Sequence, residues 1–155
     1  MPEGLEQGLP PRESDDLRRL AGIMVPASIE YRLPGADDPA IFADIVASLG
    51  RDRAAVLQAL AELRQIAGEG FAAMQDAAAE AAAMTLLGRQ GPVVVALGRA
   101  VLQCYYRDPR VHRALGREPR PPFPLGLKLE QGDWSLLEAQ KGRARMWRDV
   151  DNAGV

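Results

Sequence analysis

Residues 71–106 read FAAMQDAAAEAAAMTLLGRQGPVVVALGRAVLQCYY, and this stretch decides the fold. Between Ala72 and Ala83, eight of twelve residues are alanine. Alanine has the highest helix propensity and lets neighbouring helices come close. The run predicts a helix from about Phe71 to Leu87, stopped by Gly88 and by Gly91-Pro92. A second helix is predicted from about Val93 to Tyr106, the most apolar of the chain, with Val94, Leu97, Val101 and Cys104/Tyr105 on its inner stripe. Val93-Val94-Val95 is the only β-like run and is too short to argue a strand.

The same period continues toward the N-terminus. Asp52 caps or opens a helix that puts Val56, Leu60, Leu63 and Ala67 on one face, with Leu57 beside them. Before it, Asp38 is an N-cap with Pro39 at the first helical position, Ile41, Phe42, Ile45, Val46 and Leu49 form the stripe, and Gly50 stops it. Residues 31–36 (YRLPGA) read as a loop with a turn at Pro34-Gly35. Earlier still, Ser14 offers an N-cap, Leu17, Leu20, Ala21 and Met24 follow at helical spacing, and Pro26 ends the helix. Residues 1–13 are Pro/Gly/Glu-rich and are expected to be a flexible arm.

Toward the C-terminus the character changes. Residues 107–120 carry five arginines against Asp108 and Glu118. Pro119, Pro121, Pro122 and Pro124 follow within six positions, which no helix interior tolerates, so an extended PPII-like segment is expected. A short helix is expected after Asp133, with Trp134 and Leu137 at helical spacing. Residues 1–106 hold 9 basic and 14 acidic residues, while residues 107–148 hold 10 and 5. The expectation is an all-α chain: an irregular helical bundle of about five to seven helices with an extended Pro-rich, basic C-terminal segment. Residues 14–150 would form one helical domain, with 14–106 as bundle and 107–148 as docking segment.

Composition excludes several classes. With 155 residues, 47% hydrophobic and 26% charged, the chain can bury a core. One cysteine and one histidine leave no disulfide and no ordinary structural zinc site. Glycine spacing shows neither a dinucleotide fingerprint nor a P-loop. A net charge of -2 and an acidic bundle oppose nucleic-acid binding, although Trp134, Trp147 and Phe123 lie in the basic region. No apolar run approaches the ~18 residues of a membrane span, so no direct membrane insertion is expected. No secretory or twin-arginine leader is read before the bundle, so a cytoplasmic location is expected, or a periplasmic one if a leader has been removed.

Each potential chemical group has a plainer use. His112 is flanked by Arg110 and Arg113, which disfavour its cationic form, so a surface or interface role outweighs catalysis. Cys104 sits mid-stripe on the most apolar helix, as a core cysteine does. Asp15-Asp16 and Asp37-Asp38 fall where helices begin and read as caps. Asp76 and Glu80 share a helix face without a Glu-x-x-His partner motif and read as solvated. No catalytic, cofactor-binding or metal residue is therefore assigned.

Residues 105–111 (YYRDPRV), Ala114-Leu115-Gly116, residues 121–126 (PPFPLG), residues 133–138 (DWSLLE) and residues 143–147 (RARMW) form a recognisable series. With residues 20–26 (LAGIMVP) and Leu33-Pro34-Gly35-Ala36, the chain resembles the gluconate 2-dehydrogenase subunit 3 family. These are the small, gamma-type subunits of flavin-dependent dehydrogenases. The resemblance implies a hetero-oligomer with a large FAD-bearing subunit of the glucose-methanol-choline type. That partner oxidises sugars, sugar acids, polyols or other alcohols, and the small subunit carries no cofactor. Family members often begin with a twin-arginine signal, which is not read here. The interface expected on this resemblance comprises Tyr105, Tyr106, Arg107, Arg110, Pro122, Phe123, Trp134 and Trp147, with aromatics as anchors and arginines meeting acids on the partner. Tyr105 and Trp134 could instead complete the bundle's own core. The rival function is a free-standing helical protein-binding module or regulator.

Overall fold

The computed structural model describes residues 8–68, 70–121, 123–126, 131–144 and 146. Among these residues there are seven α-helices: α1 (Pro11–Met24), α2 (Pro39–Ser48), α3 (Arg53–Ala67), α4 (Asp76–Leu87), α5 (Pro92–Arg107), α6 (Pro109–Ala114) and α7 (Glu138–Lys141). Extended pairing is limited to one isolated bridge between Ser28 and Leu33. The all-α class follows from the pattern. The run of three valines is helical because it opens α5 just behind Pro92, whose fixed φ suits a first turn.

The chain forms two compact units, Met1–Arg120 and Pro121–Val155. The change of character that the sequence shows after Tyr106 does not coincide with this division. Residues 107–120 belong to the first unit, because Val111 on α6 is fully buried in the bundle core.

In the first unit α3 is the central helix and packs on α5, α4 and α1, while α2 packs on α5. The core follows the predicted stripes: Leu17, Leu20, Ile41, Ile45, Leu60, Leu63, Leu86, Leu97 and Val101 are buried. On α4 the buried face is mostly alanine, with Ala79, Ala82 and Ala83 against the core. Small side chains there let α4 lie close to α3.

Several local predictions are corrected. Ser14 does not cap α1. The helix begins at Pro11, whose missing N–H would be unpaired in a first turn anyway, and Pro10 is its N-cap. The end of the expected arm is thus helical, Leu9 packs on the core, and Arg53 donates to the Gly8 carbonyl at 2.5 Å; residues 1–7 lie outside the described residues. The helix expected from Phe71 starts only at Asp76, because Phe71–Ala73 forms a separate 3-10 turn that buries Phe71. In residues 25–38, Pro34-Gly35 is not the turn. The chain turns at Ile29–Arg32, tied by Ser28 and Leu33 backbone bonds of 2.9 Å each, and again before Asp38.

Within the second unit, Asp133 caps a short 3-10 turn, Trp134–Leu137, by accepting from the Ser135 N–H at 3.0 Å, and α7 follows. That is the short helix expected after Asp133. The described residues of the Pro-rich stretch carry no helix, but Phe123, Pro124 and Leu125 turn rather than extend, with a cis Phe123-Pro124 bond. No described residue from 121 onward is buried.

Candidate docking surface

The residues singled out in the sequence divide sharply by environment. Tyr105 is buried at the end of α5, where burial raises its phenol pKa, so it completes the core and leaves the expected interface set. Tyr106, the next residue, projects outward and is 55% exposed, its ring edge-on to Tyr105 with centroids 5.3 Å apart. Phe123 and Trp134 are exposed at 85% and 63%. Pro122 and Trp147 lie outside the described residues.

Arg107 and Arg110 have partners inside the bundle. Arg107 donates from Nε and Nη2 to Asp44 at 3.0 and 2.7 Å, and from Nη2 to Ser48 Oγ at 2.7 Å, fastening α5 to α2. Arg110 spans two carboxylates. Its Nη1 and Nη2 reach Asp38 at 3.0 and 2.7 Å, and its Nε and Nη2 reach Asp108 at 3.0 and 2.9 Å. Both carboxylates are also N-caps: Asp38 accepts from Ala40 and Ile41, and Asp108 from Arg110. One guanidinium, 72 positions from Asp38 in sequence, therefore clamps the starts of α2 and α6 together. The Arg110 hydrogen bonds, with the backbone N–H groups, hold both carboxyls below the ordinary aspartate value against the opposing effect of burial. Expecting these two arginines to meet partner acids overlooked these neighbours, because carboxylates brought close only by folding leave no local signal.

Other charges also work inside the fold. Asp52 does not cap α3 with its side chain; it pairs with Arg99 of α5 at 2.6 and 3.0 Å, which lowers its carboxyl pKa. Asp16 is no cap either. It lies within α1, is buried, and accepts the Ala72 N–H at 3.0 Å, so it anchors the 3-10 turn before α4. Arg19 reaches the same turn, donating to the Ala72 and Met74 carbonyls and to Asp76. Neither role was anticipated. The only hint was an acid and a base three positions apart on the same edge of a predicted apolar stripe.

The groups considered for chemistry are inertly placed. Cys104 is buried, and burial, as the largest cause, raises its thiol pKa, which disfavours the reactive thiolate. His112 is half-buried and its Nδ1 has no hydrogen-bond partner. Among the described residues no three His, Cys, Asp or Glu side chains converge as a metal-binding group. Asp76 and Glu80 line a groove of about 450 Å³ with Arg19, Gly22, Ile23, Pro26, Ala27 and Asp37. Gly35 has a spatial reason: a Cβ there would collide with the Asp37 carboxylate, and one at Gly22 would lie 3.0 Å from Asp37 Cγ. No single described helix is long and apolar enough to cross a membrane.

What the outer surface offers is apolar area without cover. Ile29, Tyr31, Met84, Val95, Tyr106 and Leu115 are exposed on the first unit, and Phe123, Leu125, Trp134, Leu136 and Met146 on the second. No family model matches the chain. No curated protein and no solved structure matches it either.

Proposed function

We propose that this chain is a non-catalytic small subunit that docks on and stabilises a large FAD-dependent dehydrogenase of alcohols or sugars. The observation that carries the reading is the second unit. Among its described residues, two aromatics and several large aliphatics are exposed and none is buried. Apolar groups in that number on a short segment are the signature of a surface awaiting a partner. The resemblance of residues 105–147 supplies the partner's class, a large FAD-bearing flavoprotein in a hetero-oligomer. The lack of an accessible nucleophile at Cys104 supports a supporting rather than a chemical role.

The competing reading, a free-standing helical binding module, draws on the first unit, whose core and ion pairs satisfy one another within the chain. Co-expression with the flavoprotein encoded beside it, purification through a tag on this chain, and an absorbance spectrum separate the two. A yellow complex with flavin bands is expected. A colourless, stable monomer would replace the subunit reading with the free-standing module. His112→Ala in the assembled complex is expected to leave turnover unchanged.

A further inference from the structure

The arginines of residues 107–120 are not equivalent. Arg107 and Arg110 are neutralised by Asp44, Asp38 and Asp108. Arg113 and Arg117 are exposed and make no ion pair or side-chain hydrogen bond with any described residue. Between them Leu115 leaves about half its surface exposed.

The backbone presenting these three residues is rigid. Gly116 takes the left-handed conformation at φ +71°. The Gly116 N–H donates to the Arg113 carbonyl at 3.0 Å, and the Arg117 N–H to the His112 carbonyl at 2.8 Å. This paired bonding is a Schellman stop, which closes α6 and fixes the direction of the chain on either side of Gly116. The other end of α6 is held by the Arg110 clamp and by buried Val111. Two guanidiniums without an ion-pair partner among the described residues and an apolar side chain are thus held on a short, doubly tied element. A cation at a helix C-terminus is favoured by the dipole. That accounts for Arg113 alone, and neither for Arg117 beyond the stop nor for exposed Leu115.

We infer that Arg113, Leu115 and Arg117 form the charged contact with the partner, and that they meet a protein surface bearing carboxylates around an apolar recess. The inference rests on the subunit reading above. Arginine suits this use because its planar fork binds carboxylates bidentately and is weakly hydrated. A rigid backbone reduces the ordering entropy lost on binding. A protein surface is favoured over nucleic acid because this element offers only two guanidiniums without an ion-pair partner among the described residues, on a unit whose first 106 residues carry a net negative charge.

The test uses the full chain and the flavoprotein co-purified with it. Affinity and its salt dependence are measured for wild type, for Arg113→Glu/Arg117→Glu, and for the milder Arg113→Gln/Arg117→Gln. Both variants are expected to keep the wild-type circular dichroism and unfolding midpoint. The charge reversal is expected to weaken binding by roughly tenfold to a hundredfold, and the neutral pair to flatten the salt dependence. Wild-type affinity and salt slope in both variants would overturn the inference while leaving the subunit reading intact. A wild-type chain that binds no flavoprotein would overturn both. Wild-type binding to a DNA duplex, lost on charge reversal, would overturn the protein partner in favour of nucleic acid.

Discussion

Leu60 and Leu136 are the same residue type in opposite circumstances. Leu60 on α3 is fully buried in the first unit, whereas Leu136 in the second is 77% exposed. The contrast extends to whole regions. Residues 8–120 enclose one core to which α1 through α6 all contribute, while the described residues of 121–146 bury nothing. Apolar content alone therefore does not say what an apolar residue is for. In the bundle it recurs every three or four positions over several turns, and the helices have neighbours to cover it. After Arg120 the described residues form only a turn at Phe123–Leu125, the 3-10 turn Trp134–Leu137 and the four-residue α7, and none of them is buried. The first arrangement yields stability, and the second leaves apolar side chains exposed.

Substitutions in the core should break this contrast most visibly. Leu60→Ala is expected to cost about 2–5 kcal/mol through lost burial and a cavity, read from the denaturant midpoint. Leu136→Ala is expected to stay within roughly 0.5 kcal/mol. Equal effects would mean the second unit is as tightly packed as the first. Next in size is Asp16→Ala, which leaves the Ala72 N–H without its partner. A loss of roughly 1–3 kcal/mol is expected, together with faster amide exchange at Phe71–Ala73.

The Arg110 clamp gives a pH signature. Asp38 and Asp108 have folded pKa values below the unfolded one. Their contribution is therefore full above the unfolded value, near 4, and is lost as pH falls through the folded values. The unfolding midpoint should drop below about pH 4, and Arg110→Ala should shrink that drop. At neutral pH the same substitution should cost only about 1 kcal/mol, because the ion pairs are partly exposed. An acid transition identical in Arg110→Ala would remove the clamp from the account. The smallest effect sharpens the comparison from the other side. A chain ending at Arg120 is expected to keep its helical circular dichroism and to unfold within a few degrees of the full chain. A large fall would show that the bundle depends on residues 121–155.

Much of the bundle was legible because helical periodicity is local information. The alanine run, the stripe through Leu97 and Val101, and Asp38 before Pro39 each need only a few neighbouring residues. The surface residues were legible only in part. The aromatics at 106, 123 and 134 were chosen by type, and they are exposed. Tyr105 was misassigned because consecutive residues on a helix point about 100° apart, so of two adjacent tyrosines one turns inward.

By itself, the sequence determined that the chain is all-helical, where most helices stop and which faces are apolar. These properties come from propensity, spacing and punctuation, which act over one or two turns. Only the tertiary structure decided which charges are spoken for. Arg107, Arg110, Arg99 and Arg19 look no different in sequence from Arg113 and Arg117. The first four find acids or carbonyls more than 40 positions away, and the last two find none among the described residues. A partner brought near by folding leaves no mark on the local pattern, so its presence or absence could be read only in three dimensions.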